Sequence, residues 1–160
     1  MLDRPLHSEV RIVARNSNAE PVLRNLFCFN FYRGWRGISE FYRKYLPEGI
    51  SAQQSYLLEL CQTDKGILVG DIAHQLEIDI SAVSGLLKRM EGSSLIRREV
   101  LPSNRRQTLV FLTLQGEELR KEVHQSMMVA DRLLSEAIRK EDKLSLIRVV
   151  DQIRHLIDAE

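Results

Sequence analysis

Along most of the chain apolar side chains recur every three or four residues, the spacing that lines one side of a helix, while two short runs are instead rich in strand-favouring residues. From Pro21, a residue suited to the first helical position, Leu23, Leu26, Phe27, Phe31 and Tyr32 keep helical spacing. Gly34 and Gly37 each cost about 1 kcal/mol relative to alanine inside a helix, which predicts a bend or break there before the segment ends at Leu46. Pro47, Glu48 and Gly49 stop it. Ser51 with Gln54 three positions on has the pattern of a capping box, and it opens a second helix with Tyr56, Leu57, Leu60 and Cys61 on its apolar side, ending by Lys65-Gly66. The residues before Pro21 show no clear periodicity beyond a short helical stretch at Glu9 to Ala14.

Two short helical pieces follow, Val69 to Leu76 and Ile80 to Glu91, and the connection between them is long enough only for a tight turn. After Gly92 the strand-favouring runs Leu95 to Val100 and Gln107 to Thr113 flank Leu101-Pro102-Ser103-Asn104, a turn sequence, and predict a hairpin. Thr113 caps a helix reaching about Ala137. The last helix, Lys140 to Ile157, carries Leu144, Ile147, Val150, Ile153, Leu156 and Ile157 at helical spacing. The expected fold is mainly α with a small β-hairpin wing: one domain over 1–160, with an arm at 1–20, helices at 21–50 and 114–160, and a winged helix-turn-helix lobe at 51–113.

Composition narrows the function. A length of 160 residues, 44% of them apolar, suffices for one domain with a core. No apolar run approaches the roughly twenty residues of a membrane span, and the N-terminus has no apolar region of a secretory signal, so no membrane partner is expected. Cys28 and Cys61 stand apart, with no metal-ligand spacing and no disulfide density, which fits a reducing cytoplasm and predicts neither metal nor cofactor. Net charge is only +1, but it is unevenly spread. Lys88, Arg89, Arg97, Arg98, Arg105 and Arg106 face only Glu91 and Glu99 between Lys88 and Arg106, a local basic patch that suits nucleic acid.

Within Asp79 to Glu91 the apolar residues Ile80, Val83, Leu86, Leu87 and Met90 share one helix face. The other face holds Ser81, Ala82, Ser84, Gly85, Lys88 and Arg89. Small side chains at its N-terminal end permit close approach to base edges, and the cations beyond them suit phosphates. The serine hydroxyls can donate or accept, so modest direct readout with reliance on DNA shape is expected. Any amphipathic surface helix has a polar face. The basic turn with Arg105 and Arg106 directly after this helix is the more specific signal, since guanidinium groups favour a narrow minor groove.

Asp71-Ile-Ala-His-Gln-Leu, Ile-Asp-Ile-Ser-Ala-Val-Ser, Leu-Lys-Arg-Met-Glu, Leu-Ile-Arg-Arg, Asn-Arg-Arg and Phe-Leu-Thr-Leu-Gln-Gly116 together resemble the multiple antibiotic resistance regulator (MarR) family over residues 22 to 157. The resemblance implies a homodimer whose first and last helices interleave into a dimerisation base carrying two winged lobes across a palindromic site in double-stranded DNA, usually as a repressor. Family wings usually carry Asp-x-Arg; here Asn104 holds the acid's position and Arg106 the arginine's, so the guanidinium lacks a charge partner.

Cys28, Tyr32 at plus four and Tyr42 at plus fourteen look like the organic hydroperoxide (one-cysteine) branch of that family. By that resemblance Cys28 is a candidate peroxidatic thiol with Tyr32 and Tyr42 as hydrogen-bond partners, and its oxidation lowers DNA affinity. Along a straight helix Tyr42 lies about 21 Å from Cys28, so the two meet only across a dimer or after a break near Gly34 to Gly37. The branch has a further tyrosine where this chain has Ala52. Cys28 as a small buried hydrophobe among phenylalanines is the plainer alternative, and Cys61 is expected in the core, with a resolving thiol or disulfide partner as its own alternative. A competing control is a small aromatic or phenolic ligand between base and lobe, lined by Phe27, Phe31, Trp35 and Tyr45, with Phe41 and Tyr42 nearby. The four histidines form no grouping with a nucleophile, so an enzyme is not expected. A winged-helix module for protein contacts alone is the remaining alternative, and salt-dependent binding to duplex DNA separates it from a regulator.

Overall fold

A computed structural model describes residues 19–158 and the side chains of residues 22–157. The expected arm lies outside the described residues up to residue 18, and with it the stretch Glu9 to Ala14. The chain divides into two compact units, the first ending at Ile38 and the second beginning at Ser39.

The first unit holds α1 (Ala19–Arg24) and the beginning of α2 (Phe27–Arg43). Helix α1 starts two residues before Pro21, which still lies in the first turn, where a missing N–H costs nothing. The expected break at Gly34 and Gly37 is not there. Helix α2 runs through both glycines, because an interior glycine weakens a helix without removing a backbone hydrogen bond. The interruption falls at Asn25 and Leu26 instead, whose N–H groups donate three residues back to Val22 (3.2 Å) and Leu23 (3.0 Å). The Asn30 amide closes it from the other side, donating to the carbonyls of Arg24 (2.6 Å) and Leu26 (3.0 Å). A side chain thus satisfies the carbonyls left over where one helix stops.

The second unit is built on the lobe. Ser51 caps α3 (Ala52–Leu60) with the predicted capping box: its Oγ accepts from the Gln54 N–H (3.3 Å) and its own N–H donates to Gln54 Oε1 (2.9 Å). The helix ends at Leu60, short of Lys65-Gly66. Cys61 is already extended, and the carbonyl of Gln62 accepts from the N–H of Leu112 at 2.8 Å, which draws the chain alongside the sheet. There follows β1 (Ile67–Leu68), two residues too short to show any period, antiparallel to β3 with Ile67 opposite Val110. Helices α4 (Val69–Leu76) and α5 (Ile80–Gly92) come next, then β2 (Ile96–Leu101) and β3 (Asn104–Leu112), α6 (Leu114–Ala137) and α7 (Lys140–Asp158). The sheet order is β1-β3-β2, all antiparallel.

One core serves this unit. Leu57 and Leu58 of α3, Ile72 of α4, Val83, Leu87 and Met90 of α5, Val110 and Leu112 of β3 and Val123 of α6 are essentially inaccessible to solvent. Each such side chain contributes about 1.5–3 kcal/mol by leaving water. Ile80, expected on the same apolar face, is 60% exposed because it stands at the helix entrance beyond the edge of the core. The apolar positions of α7 do not turn into this core either: Leu144, Ile147, Val150, Ile153, Leu156 and Ile157 are all 36% exposed or more.

The hairpin is anchored at its base. Thr113 Oγ1 donates to the carbonyl of Ser94 (2.7 Å) and accepts from the N–H of Gly116 (2.9 Å), so one hydroxyl joins the entry to β2 and the first turn of α6. Gly116 is buried there, and a β-carbon on it would run into the carbonyl of Leu95. Gly116→Ala should therefore lower the stability of the chain by about 2–4 kcal/mol in urea unfolding. Gly34→Ala, whose β-carbon meets open space, should raise it by up to about 1 kcal/mol.

Candidate nucleic-acid interface

The turn between α4 and α5 is closed by backbone alone. Glu77 adopts a left-handed conformation (φ 53°, ψ 42°), its N–H donates to the carbonyl of His74 (3.2 Å), and that of Ile78 donates to Ala73 (3.1 Å), a Schellman-type ending. Asp79, in extended conformation, then opens α5 with no side-chain cap bond.

Because Val83, Leu86, Leu87 and Met90 are buried, the opposite face of α5 points outward. Ser81, Ala82, Ser84, Lys88 and Arg89 are exposed there and Gly85 is half-buried. Ser84 differs from its sequence reading, since its hydroxyl donates to the carbonyl of Ile80 at 2.8 Å and presents lone pairs outward as an acceptor. Ser81 keeps both capacities, with no side-chain hydrogen bond among the described residues.

The basic patch is smaller than the sequence suggests. Arg98 of β2 donates through Nε to Glu91 Oε2 at the end of α5 (3.0 Å), and this contact holds the Glu91 carboxyl below the usual carboxylate range. Arg97 pairs with Glu99, and its guanidinium lies 4.1 Å from the centre of the Phe111 ring. Both arginines thus tie the hairpin to itself and to α5. No local spacing signals the link between Glu91 and Arg98, which is made only when the chain folds back. Lys88, Arg89, Arg105 and Arg106 are exposed and have no ion-pair partner among the described residues. Asn104, Arg105 and Arg106, expected in the turn, are the first three residues of β3, only Pro102 and Ser103 making the turn, and Asn104 Oδ1 accepts from the main-chain N–H of Arg106 at 3.1 Å. The amide therefore shapes the turn and leaves the Arg106 guanidinium unheld.

Cys28 is the second residue of α2 and is exposed, so it is not buried among phenylalanines within the chain. Tyr32, also exposed, lies beneath the Arg36 guanidinium (5.8 Å). The Tyr42 hydroxyl is engaged elsewhere, donating to Asp131 Oδ1 on α6 at 3.2 Å. Burial, then the Asp131 charge, push Tyr42 up to about 12. Cys61 is in the core as expected, 1% exposed, and burial pushes its thiol up to about 12. Of the four candidate ligand-lining residues, Phe27 and Trp35 are exposed, while Phe31 and Tyr45 are half-buried, with Tyr45 5.2 Å from the Phe41 ring. A cleft of about 380 Å³ at the elbow between α1 and α2 is lined by other side chains: Leu23, Arg24, Phe29, Tyr32, Arg33 and Arg36. Among the described residues no cluster of acidic, His and Cys side chains is arranged to hold a metal, and no helix is long and apolar enough to cross a membrane.

A winged helix-turn-helix lobe with an outward basic face defines a class of DNA-binding proteins. Residues 50–108 match the MarR family. The chain is 31% identical over 113 residues to the uncharacterized HTH-type transcriptional regulator YdgJ of Bacillus subtilis, covering 69% of this chain and 67% of the relative. It is 26% identical over 139 residues to the HTH-type transcriptional regulator MgrA of Staphylococcus aureus, covering 85% and 92%. The structure of reduced AbfR bound to DNA is similar, with a TM-score of 0.68 and 26% identity over 89% of this chain and 99% of that one. The chain belongs to the MarR family of DNA-binding transcription regulators.

The Cys61 thiol should resist modification. At pH 8 an alkylating reagent should leave Cys61 unmodified in the folded chain and label it readily in denaturant, as peptide mass mapping would show. Its folded pKa lies above its unfolded value near 9, so the stability it contributes is complete below pH 9 and is lost as pH rises toward 12. Tyr42, raised from 10 to about 12, acts in the same direction, and urea midpoints should fall above pH 9.

Proposed function

We propose that the chain is a homodimeric repressor that places one α5 helix in the major groove of each half of a palindromic operator and leaves the DNA when peroxide oxidises Cys28. The observation that carries the DNA-binding part is the combination of one small-residue face, Ser81, Ala82, Ser84 and Gly85, with four cations that have no ion-pair partner among the described residues, Lys88, Arg89, Arg105 and Arg106. The small residues allow contact with base edges; Lys88 and Arg89 meet phosphates; Arg105 and Arg106 on the hairpin tip, shaped by Asn104, enter the adjacent minor groove. Dimerisation is supported by the apolar stripe of α7, which the described residues leave exposed, and by α2, none of whose side chains is buried among them. Half-sites then lie about one DNA turn apart.

In the redox step the Cys28 thiolate attacks the O–O bond of a hydroperoxide. A sulfur–oxygen bond forms, the alkoxide leaves and takes up a proton as alcohol, and Cys28 becomes a sulfenic acid. Tyr32 donates to the thiolate within the chain, and Tyr42 of the second copy gives up Asp131 to do so. A small aromatic or phenolic effector is the second reading, favoured by the elbow cleft, where Phe29 and Tyr32 offer ring faces beside Arg33 and Arg36.

Genomic fragments recovered on the protein, with and without peroxide or phenolic compounds, give operator and effector together. On the recovered site Arg106→Ala should weaken binding by more than about 1 kcal/mol at fixed salt, and Glu136→Ala should not. Equal affinities in a fluorescence anisotropy titration would remove the hairpin from the interface. Peroxide should release the wild-type protein and spare Cys28→Ser. A serine variant released equally well by peroxide excludes Cys28, and a wild-type protein released by phenolic compounds and not by peroxide favours the second reading.

A further inference from the structure

The residue that ends α4 must turn left-handed, a conformation glycine takes freely and a side chain resists. This chain places Glu77 there, and the carboxylate does something glycine cannot. Its Oε2 meets Arg154 Nε of α7 at 3.1 Å, across 77 positions of sequence. Arg154 sits over a shallow recess formed at the α4–α5 turn by Ile78, Asp79, Ile80 and Ala82, with His74 and Asp79 as the other polar groups around it. Only Ile78 and Asp79 separate Glu77 from the first turn of α5, and the turn is already fixed by its own hydrogen bonds. A pull on the Glu77 carboxylate is therefore passed to the entrance of the reading helix.

We propose that Glu77 and Arg154 form a strut that sets the angle of α5 relative to α7, and so the separation of the two reading helices in the dimer. This rests on the homodimer reading above. Both residues are positioning residues, since neither lies on the outward face of α5. Each side chain is about half exposed, and such an isolated pair adds little to folding stability. Its loss is felt in geometry, with the small structural cost of the left-handed backbone acting in the opposite sense.

Glu77→Gly separates the two roles, because it relieves the backbone while cutting the strut. A nitroxide at Ser93→Cys, in a chain carrying Cys28→Ser and with Cys61 buried, reports the distance between the two lobes of the dimer without DNA. The unaltered strut should give a narrow distance distribution, and Glu77→Gly and Arg154→Gln should broaden it. The thermal midpoint of Glu77→Gly should stay level or rise. In chains without the label, affinity for the duplex recovered on the wild-type protein should fall roughly three- to tenfold, as two weak pairs per dimer allow. The charge swap Glu77→Arg with Arg154→Glu should restore the narrow distribution. A distribution unchanged by both single variants overturns the strut and leaves the dimer standing. Affinity that falls only in step with the thermal midpoint also overturns it. A chain that gives no distance between copies overturns the strut together with the dimer reading.

Discussion

The dry contact beneath α5 is the constraint on which the lobe depends. Val83, Leu86, Leu87 and Met90 have one place to go, and once they are in it the helix has no rotational freedom left. What the other side presents is a consequence of that burial: which serine is outward, where Gly85 leaves room, and how Lys88 and Arg89 project. The same core reaches the hairpin through Val110 and Leu112, so packing at its base holds the basic start of β3.

Charge on this surface is edited by pairing. Six cations cluster in the sequence from Lys88 to Arg106, and the fold spends Arg97 and Arg98 internally, one over an aromatic ring and beside Glu99, the other on Glu91. The Arg98 contact joins the last turn of α5 to the first residues of β2, so the helix and the hairpin are tied to each other. The cations left over lie in the C-terminal half of α5 and at the start of β3. A weakly charged chain thus concentrates its positive field on the outward side of α5 and the hairpin.

What was legible in the sequence divides along physical lines. Features made by neighbours in the chain were readable: the Ser51 and Gln54 capping box, the Thr113 cap, the two short helices, and the hairpin around Pro102 and Ser103. Features made by distant residues were not. The early end of α3 depends on Gln62 meeting Leu112, β1 exists only because β3 lies beside it, and Ile80 belongs to the apolar period yet falls outside the core. The break near Asn25 was obscured because two glycines gave a louder local signal, while the group that closes it is the Asn30 amide. At the candidate site, residue identity was available in advance, but the direction of each hydrogen bond was not: Ser84 turns its proton inward, Asn104 holds backbone and not guanidinium, and Tyr42 is occupied by Asp131.

The bare apolar stripe of α7 has a consequence for dosage. A helix that leaves Leu144, Ile147, Val150, Ile153, Leu156 and Ile157 exposed among the described residues completes its hydrophobic burial only with something beyond them. If that something is another copy, assembly is second order in protein, and the fraction able to grip two half-sites climbs more steeply than the number of molecules made. Cells holding few copies would then carry mostly idle monomers, and a modest rise in expression would act as a threshold.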